Sequence, residues 1–184
     1  MPEKPIILKQ TTVAQSRLFT VQEIHLRFSN GAERIFERLN PHSKGAVLVV
    51  AMKDANTFLL VNEYSAGLDK YELAFPKGIV EPNETLIEAA NRELREEIGF
   101  SAAKITELHA LSLAPGYMSH KTHILLAEGL TPDRLEGDEP EPLEIVPWSF
   151  DNLDELLEHE DFTEARSFAA LWLVKRHLSN REKA

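Results

Sequence analysis

Not one cysteine occurs in the 184 residues. That excludes disulfides, thiolate-held zinc and cysteine nucleophiles together, so metal or nucleophilic chemistry must rest on carboxylates, histidines or hydroxyls. Long apolar runs are missing too. No stretch approaches the ~20 residues of a membrane-spanning helix, and residues 1–10 lack the apolar segment of a secretion signal. The expectation is a cytoplasmic protein with no membrane partner. Positive charge is scarce: 20 Lys and Arg face 30 Asp and Glu, a formal net charge of −10. Such a balance repels polyanions at long range, and with no basic patch to offset it nucleic-acid binding is disfavoured. A small anionic substrate is still admissible, because a bound divalent cation reverses the local field. Also absent are the Gly-x-Ser-x-Gly elbow, His-Glu-x-x-His, a phosphate loop ending in Gly-Lys-Ser/Thr, and Gly-x-Gly-x-x-Gly.

What is present is the composition of an ordinary globular protein, 43% hydrophobic and 27% charged, at a length that fits one domain with or without an arm. Ile24, Leu26 and Phe28 alternate with His25 and Arg27 before Asn30-Gly31, and Ile35-Phe36 resumes beyond, the pattern of a β-hairpin. Ala46 to Met52 and Phe58 to Val61 are apolar runs joined by a polar turn, two buried strands. Tyr71 to Phe75 reads as a strand stopped by Pro76, with Gly78 at a turn. From Thr85 the period becomes helical through Ile87, Ala90, Leu94 and Ile98. Thr85 and Glu88 form a capping box, and Gly99 stops the helix. Strands follow at Ile105–Leu113 and Thr122–Ala127, then an acidic proline-bearing loop from Glu136 to Glu144, a strand near Trp148 and terminal helices to Leu178. Trp148, Trp172 and Phe168 fit apolar patterns and read as core. Interleaved strands and helices indicate a mixed sheet packed between helices, α/β or α+β.

Chemistry concentrates between Gly78 and Phe100. Glu88 and Glu96 each have Arg92 four residues away, an ordinary ion-pair spacing, whereas Glu93 and Glu97 have no basic residue at the neighbouring helical positions. On an α-helix residues 93, 96 and 97 fall within an arc of ~100°, so their carboxylates can converge on one hard cation, Mg²⁺ or Mn²⁺. The bland alternative is a solvated acidic face. His120 and His123 form a pair without a third ligand, and Lys77 and Lys121 are ordinary surface lysines; neither pair is assigned a role.

The wider spacing decides between these readings. Gly78, five residues, Glu84, seven residues, then Arg92-Glu93-Leu94-Arg95-Glu96-Glu97-Ile98-Gly99-Phe100 resembles the Nudix box at every defined position. The resemblance implies the Nudix α/β/α sandwich with a mixed sheet, and hydrolysis of a pyrophosphate bond by a metal-activated water. It implies Glu93 and Glu97 as principal metal ligands, Glu96 as an additional one, Arg92 orienting the glutamates and Glu84 bracing the loop.

Pro115, sixteen residues beyond Gly99, resembles the proline that marks the ADP-ribose pyrophosphatase-like branch, as do Tyr71-Glu72-Leu73 and Glu37-Arg38. Further similarity lies in Ser16-Arg17-Leu18-Phe19, in the acidic stretch Leu135–Leu143 and in Asp161–Arg166. The implied substrates are ADP-ribose, diadenosine polyphosphates or NADH, with AMP or another mononucleotide released. The implied assembly is a homodimer in which an N-terminal β-hairpin arm, residues 1–44, reaches from the Nudix domain of residues 45–184 to the partner. Arg38, Glu72 and Pro115 line the substrate site, Arg38 across the dimer, and the general base is Glu139 or Glu141. Ser65 stands where those pyrophosphatases usually carry arginine, and His120 where they often carry glutamate, which points to a broader specificity than ADP-ribose alone. The alternatives are a catalytically silent Nudix module that binds a nucleotide, and a nucleoside triphosphate or coenzyme A pyrophosphatase.

Overall fold

The computed structural model describes residues 3–40 and 45–181. The expected junction between arm and domain, at residues 44 and 45, borders residues 41–44, which lie outside the described segments.

The first three strands, β1 (Ile6–Gln15), β2 (Thr20–Arg27) and β3 (Glu33–Asn40), form their own antiparallel sheet in the order β1-β2-β3. The β2–β3 connection is the expected hairpin: the Phe28 N–H donates to Ala32 O, the Gly31 N–H donates to Phe28 O, and Gly31 has φ +82°. A turn that needs positive φ selects glycine there. The hairpin of the arm is thus present, and β1 extends it to a three-stranded antiparallel meander. β1 shows no period-2 pattern, since its apolar residues Ile6, Ile7 and Leu8 stand in succession, and all ten of its residues are exposed.

A second, seven-stranded sheet holds β4 (Ala46–Met52), β5 (Thr57–Ser65), β6 (Lys70–Ala74), β7 (Lys77–Ile79), β8 (Phe100–Ser112), β9 (Lys121–Pro132) and β10 (Glu144–Ser149). Its central order is β10-β5-β4-β9-β8, with β6 on β5 and β7 on β4; β4 and β9 run parallel, and the other pairs are antiparallel. β4 is buried along its whole length because both faces are covered, which explains its unbroken apolar run. Leu48, Val50, Phe58, Leu60 and Leu126 pack on one side with α2 (Leu153–Leu157) and α3 (Ala165–Arg181). Val47, Val49, Leu59, Val61 and Leu125 pack on the other with α1 (Leu86–Glu93). The result is the expected α/β/α sandwich.

Three local expectations need correction. Gly78 sits in β7, opposite Val47, not at a turn. Trp172 is 61% exposed and Phe168 lies at the surface, because α3 turns Ser167, Ala170, Leu171 and Val174 inward; Arg176 stacks over the Trp172 ring at 5.5 Å. Trp148 does pack against the core, its indole N–H donating to Asn152 O. The helix after Thr85 does not stay α-helical either. Leu94–Ile98 form a π-helical turn closed by the Gly99 N–H donating to Leu94 O, with Gly99 at φ +74°.

Candidate active site

The motif Gly78–Phe100 folds as β7, a short loop, α1 and the π-helical turn. Thr85 caps α1: its hydroxyl accepts from the Glu88 N–H, and the Glu88 carboxylate accepts from the Thr85 N–H at 2.8 Å. That reciprocal bond fixes where the helix starts. It also occupies Glu88, so the expected Glu88–Arg92 pair does not form.

Arg92 instead spends all five of its N–H donors on the motif. Nε and one Nη2 proton bind the two oxygens of Glu84 at 2.7 and 3.0 Å, and the other Nη2 proton reaches Ile79 O at 2.9 Å. Nη1 donates to Glu93 Oε1 at 2.7 Å and to Glu96 Oε2 at 2.9 Å. The planar guanidinium thus ties the loop to the helix in a geometry that lysine cannot reproduce. The Glu84 bond holds the Arg92 pKa above its ordinary value and the Glu84 carboxyl below its own. Glu93 accordingly has a basic partner after all, from the adjacent residue, a contact that helical spacing alone does not offer.

Glu93 is 8% and Glu97 4% exposed. Burial raises the Glu97 carboxyl well above its usual range and raises Glu93 despite Arg92; Glu93 and Glu63 push Glu97 further in the same direction. Among the described residues the only hydrogen bonds to the Glu97 carboxylate are long ones, 3.3 and 3.4 Å, from the Lys77 backbone N–H. Gly78 is what lets the carboxylates come so close to the sheet, since a Cβ there meets Glu93 Oε1 at 1.9 Å. Buried carboxylates cost several kcal/mol each unless paired, and this pair is under-compensated by the protein alone. An all-oxygen, anionic donor set of this kind fits a hard divalent cation.

The convergence of three carboxylates expected from helical angles is not drawn. Among the described residues no group of three acidic or histidine side chains stands close enough to hold an ion. Arg92 pulls Glu93 and Glu96 onto its own Nη1, Glu97 turns to the Lys77 amide, and the π-helical turn changes the angles that an α-helix would impose.

These side chains line a cleft of about 840 Å³ bounded by Lys77, Gly78, Arg92, Glu93 and Glu97 on the motif side. Asp138 and Glu139 of the acidic loop face them. Burial, then Glu63 and Asp138, raise the Glu139 carboxyl. Glu141 faces away from this cleft, into a neighbouring one of about 390 Å³ that it shares with Glu96 and Glu139, and it accepts a hydrogen bond from the Tyr71 hydroxyl. Arg38 and Pro115 come together in a separate groove of about 260 Å³, where Leu39 of β3 bridges to Met118. Arg38 donates there to Gln22 at 3.1 Å. Glu72 lies elsewhere: it accepts from the Thr163 hydroxyl at 2.8 Å and pairs with Lys70 at 2.7 Å. Burial works against its charge, but those partners outweigh it and lower its pKa. His123 pairs with Glu107 at 2.7 Å, while burial and then Arg166 lower the His120 pKa.

Sequence reasoning weighed Lys77 but assigned it no role, and missed Glu63 and Asp138. Lys77 Nζ pairs with Glu63, and both act electrostatically on Glu97. The available signal for Lys77 was its place beside Gly78, which forces its backbone against the glutamates. Glu63 had none, because its position depends on the β5–β6 pairing.

A family model described as the NUDIX domain matches residues 42–172, and one described as the NudE-type Nudix hydrolase N-terminal domain matches residues 5–38. The chain is a Nudix hydrolase of the NudE type. The ADP compounds hydrolase NudE of Escherichia coli (strain K12) is 49% identical over 176 residues, 96% of this chain and 94% of that protein. An ADP-ribose pyrophosphatase of Bacillus subtilis (strain 168) is 27% identical over 173 residues, 89% of this chain and 91% of that one. A crystal structure of an ADP compounds hydrolase superposes with a TM-score of 0.92 at 47% identity, covering 99% of this chain and 98% of the other. Nudix hydrolases generally require a divalent metal, the kind of cation that the donor set of this cleft fits.

Proposed function

We propose that the cleft hydrolyses the pyrophosphate linkage of ADP-containing compounds, among them ADP-ribose, NADH and diadenosine polyphosphates, releasing AMP or another mononucleotide. The observation that carries this is the buried, under-compensated pair Glu93 and Glu97 at the floor of a cleft, with Arg92 fixing one of them. Glu93 and Glu97, with Glu96 in addition, are assigned to Mg²⁺ or Mn²⁺. When bound, the cation offsets the charge of the diphosphate and acidifies water. Arg92 holds the glutamate carboxylates in place. Of the two candidate bases Glu139 is preferred over Glu141, because it faces the cleft while Glu141 is engaged by Tyr71. Burial raises its pKa, which makes it a stronger base towards the proton of the attacking water. Water adds to one phosphorus, the bridging P–O bond breaks, and ADP-ribose yields AMP and ribose 5-phosphate.

Substrate contacts are assigned to Arg38 and Pro115, which share a groove, and to Glu72. That groove is separate from the glutamate cleft of the same chain, so the contribution of Arg38 is assigned to the cleft of a second copy in a homodimer, with residues 1–44 as the arm and 45–184 as the catalytic unit. The assigned location is the cytoplasm, consistent with the lack of any described helix long and apolar enough to cross a membrane. The test is to incubate the protein with ADP-ribose, NADH and diadenosine triphosphate, with and without Mg²⁺, and to resolve the products by chromatography. Metal-dependent AMP from at least one is expected; no product from any, with the protein folded, contradicts the reading.

A further inference from the structure

Tyr71 sits on β6, which among the described residues pairs with β5 alone, and it is 47% exposed, so burial in the core does not account for an aromatic residue there. Its hydroxyl donates to Glu141 Oε1, seventy residues along the chain. The ring is itself held: it meets Tyr64 edge-to-face at 5.6 Å, and the Tyr64 hydroxyl donates to Asp69 in the β5–β6 turn. A chain of contacts therefore runs from the turn through two tyrosines to the acidic loop.

That loop is fastened at its start, where the Asp133 N–H donates to Gly99 O at 3.0 Å and the Leu135 N–H to Arg95 O at 3.1 Å. Gly137 then lies against the Glu96 side chain, at 3.2 Å from its Cβ for an added methyl. From Asp138 until β10 begins at Glu144, the Tyr71–Glu141 bond is the one hydrogen bond to the loop among the described residues. The sequence between is Glu139-Pro140-Glu141-Pro142. Each proline fixes its own φ and bars the residue before it from the helical region, so the segment is stiff, with bends at Asp138, Pro140 and Glu141. Pinning Glu141 thus fixes Glu139 two residues away.

We propose that Tyr71 is a positioning residue, whose phenol latches Glu141 and through the rigid Glu-Pro-Glu-Pro segment holds Glu139 over the glutamate cleft. This rests on the assignment of Glu139 as the base. Tyr71→Phe keeps the ring and its contact with Tyr64 and removes only the latch. The expected result is a loss of about tenfold in kcat with little change in KM, and no further loss when Tyr71→Phe is added to Glu139→Gln. Glu141→Gln, which keeps an oxygen to accept the phenol proton, retains more turnover than Glu141→Ala. Amide hydrogen exchange of residues 137–143, read by mass spectrometry, is faster in Tyr71→Phe than in the wild type whether or not any substrate is turned over. Unchanged exchange, or additive losses in Tyr71→Phe/Glu139→Gln, overturns the latch. An inactive wild type whose loop exchange still responds to Tyr71→Phe overturns the functional reading and leaves the latch standing.

Discussion

Glu97 sets stability against chemistry within one side chain. Its carboxylate is 4% exposed, raised in pKa by burial and opposed by Glu93 and Glu63. Glu97→Gln removes the buried charge at nearly constant volume. In metal-free protein it should raise Tm, by about 2–4 °C for each kcal/mol relieved, while abolishing the rise in Tm that Mg²⁺ gives the wild type. Thermal melts with Mg²⁺ and with a chelator check both halves; a Mg²⁺-dependent shift that survives in the variant contradicts the metal assignment. Gly78 tests the same centre from the sheet side. The atoms that an alanine Cβ meets there are the carboxyl end of Glu93, the flexible end of a side chain. Gly78→Ala should therefore displace that carboxylate and not the backbone, cutting turnover about 100-fold with Tm shifted by no more than about 3 °C. A variant that unfolds, or one as active as the wild type, refutes that account of the glycine.

At the scale of elements, the loop Glu81–Thr85 and α1 are joined by the Thr85–Glu88 capping box and by the bidentate Glu84–Arg92 pair, whose side chains are 18% and 22% exposed. Glu84 has a folded pKa below its ordinary value, so its stabilisation is complete above the unfolded pKa and is lost as pH falls through the folded one. Glu84→Gln should cost about 1 kcal/mol at pH 7, and the gap to the wild type should close at an acidic pH well below the ordinary glutamate range. Chemical denaturation at both pH values measures it; a gap that does not depend on pH contradicts the pairing as its source. The elements also show why the sequence was legible in parts. The capping box, Gly99 and the apolar runs of β4 and β5 are local signals, read within a few residues. The ends of β8 and β9 lie beyond their apolar centres, because antiparallel pairing from Phe100–Pro132 to Ser112–Lys121 carries the strands past the core. The π-helical turn, which shows in the Gly99 N–H bond to Leu94 O, and the Tyr71–Glu141 bond, which joins residues seventy apart, have no local signature.

In the whole molecule, the N-terminal sheet presents Ile6, Leu8, Ile35 and Phe36 to solvent, Ile35 being 61% exposed. Ile35 and Phe36 are neighbours on β3 and lie on opposite faces, so apolar side chains are open on both sides of a three-stranded sheet, the kind of surface that a partner covers. Sedimentation equilibrium should give the mass of two chains, and Ile35→Glu should shift it towards one; a wild type at the mass of one chain contradicts the dimer. The Nudix motif was legible because its chemistry sits within 23 residues. The place of Arg38 was not, since its groove with Pro115 depends on how the arm meets the domain. The central claim is that Glu93 and Glu97 form the centre that cleaves ADP compounds. Its most direct test is AMP release from ADP-ribose and NADH by the wild type and Glu97→Gln side by side, each with Mg²⁺ and with a chelator. The account predicts AMP from the wild type with Mg²⁺ alone and a drop of at least about 100-fold in the folded variant; equal turnover by the two proteins, or turnover indifferent to the chelator, contradicts it.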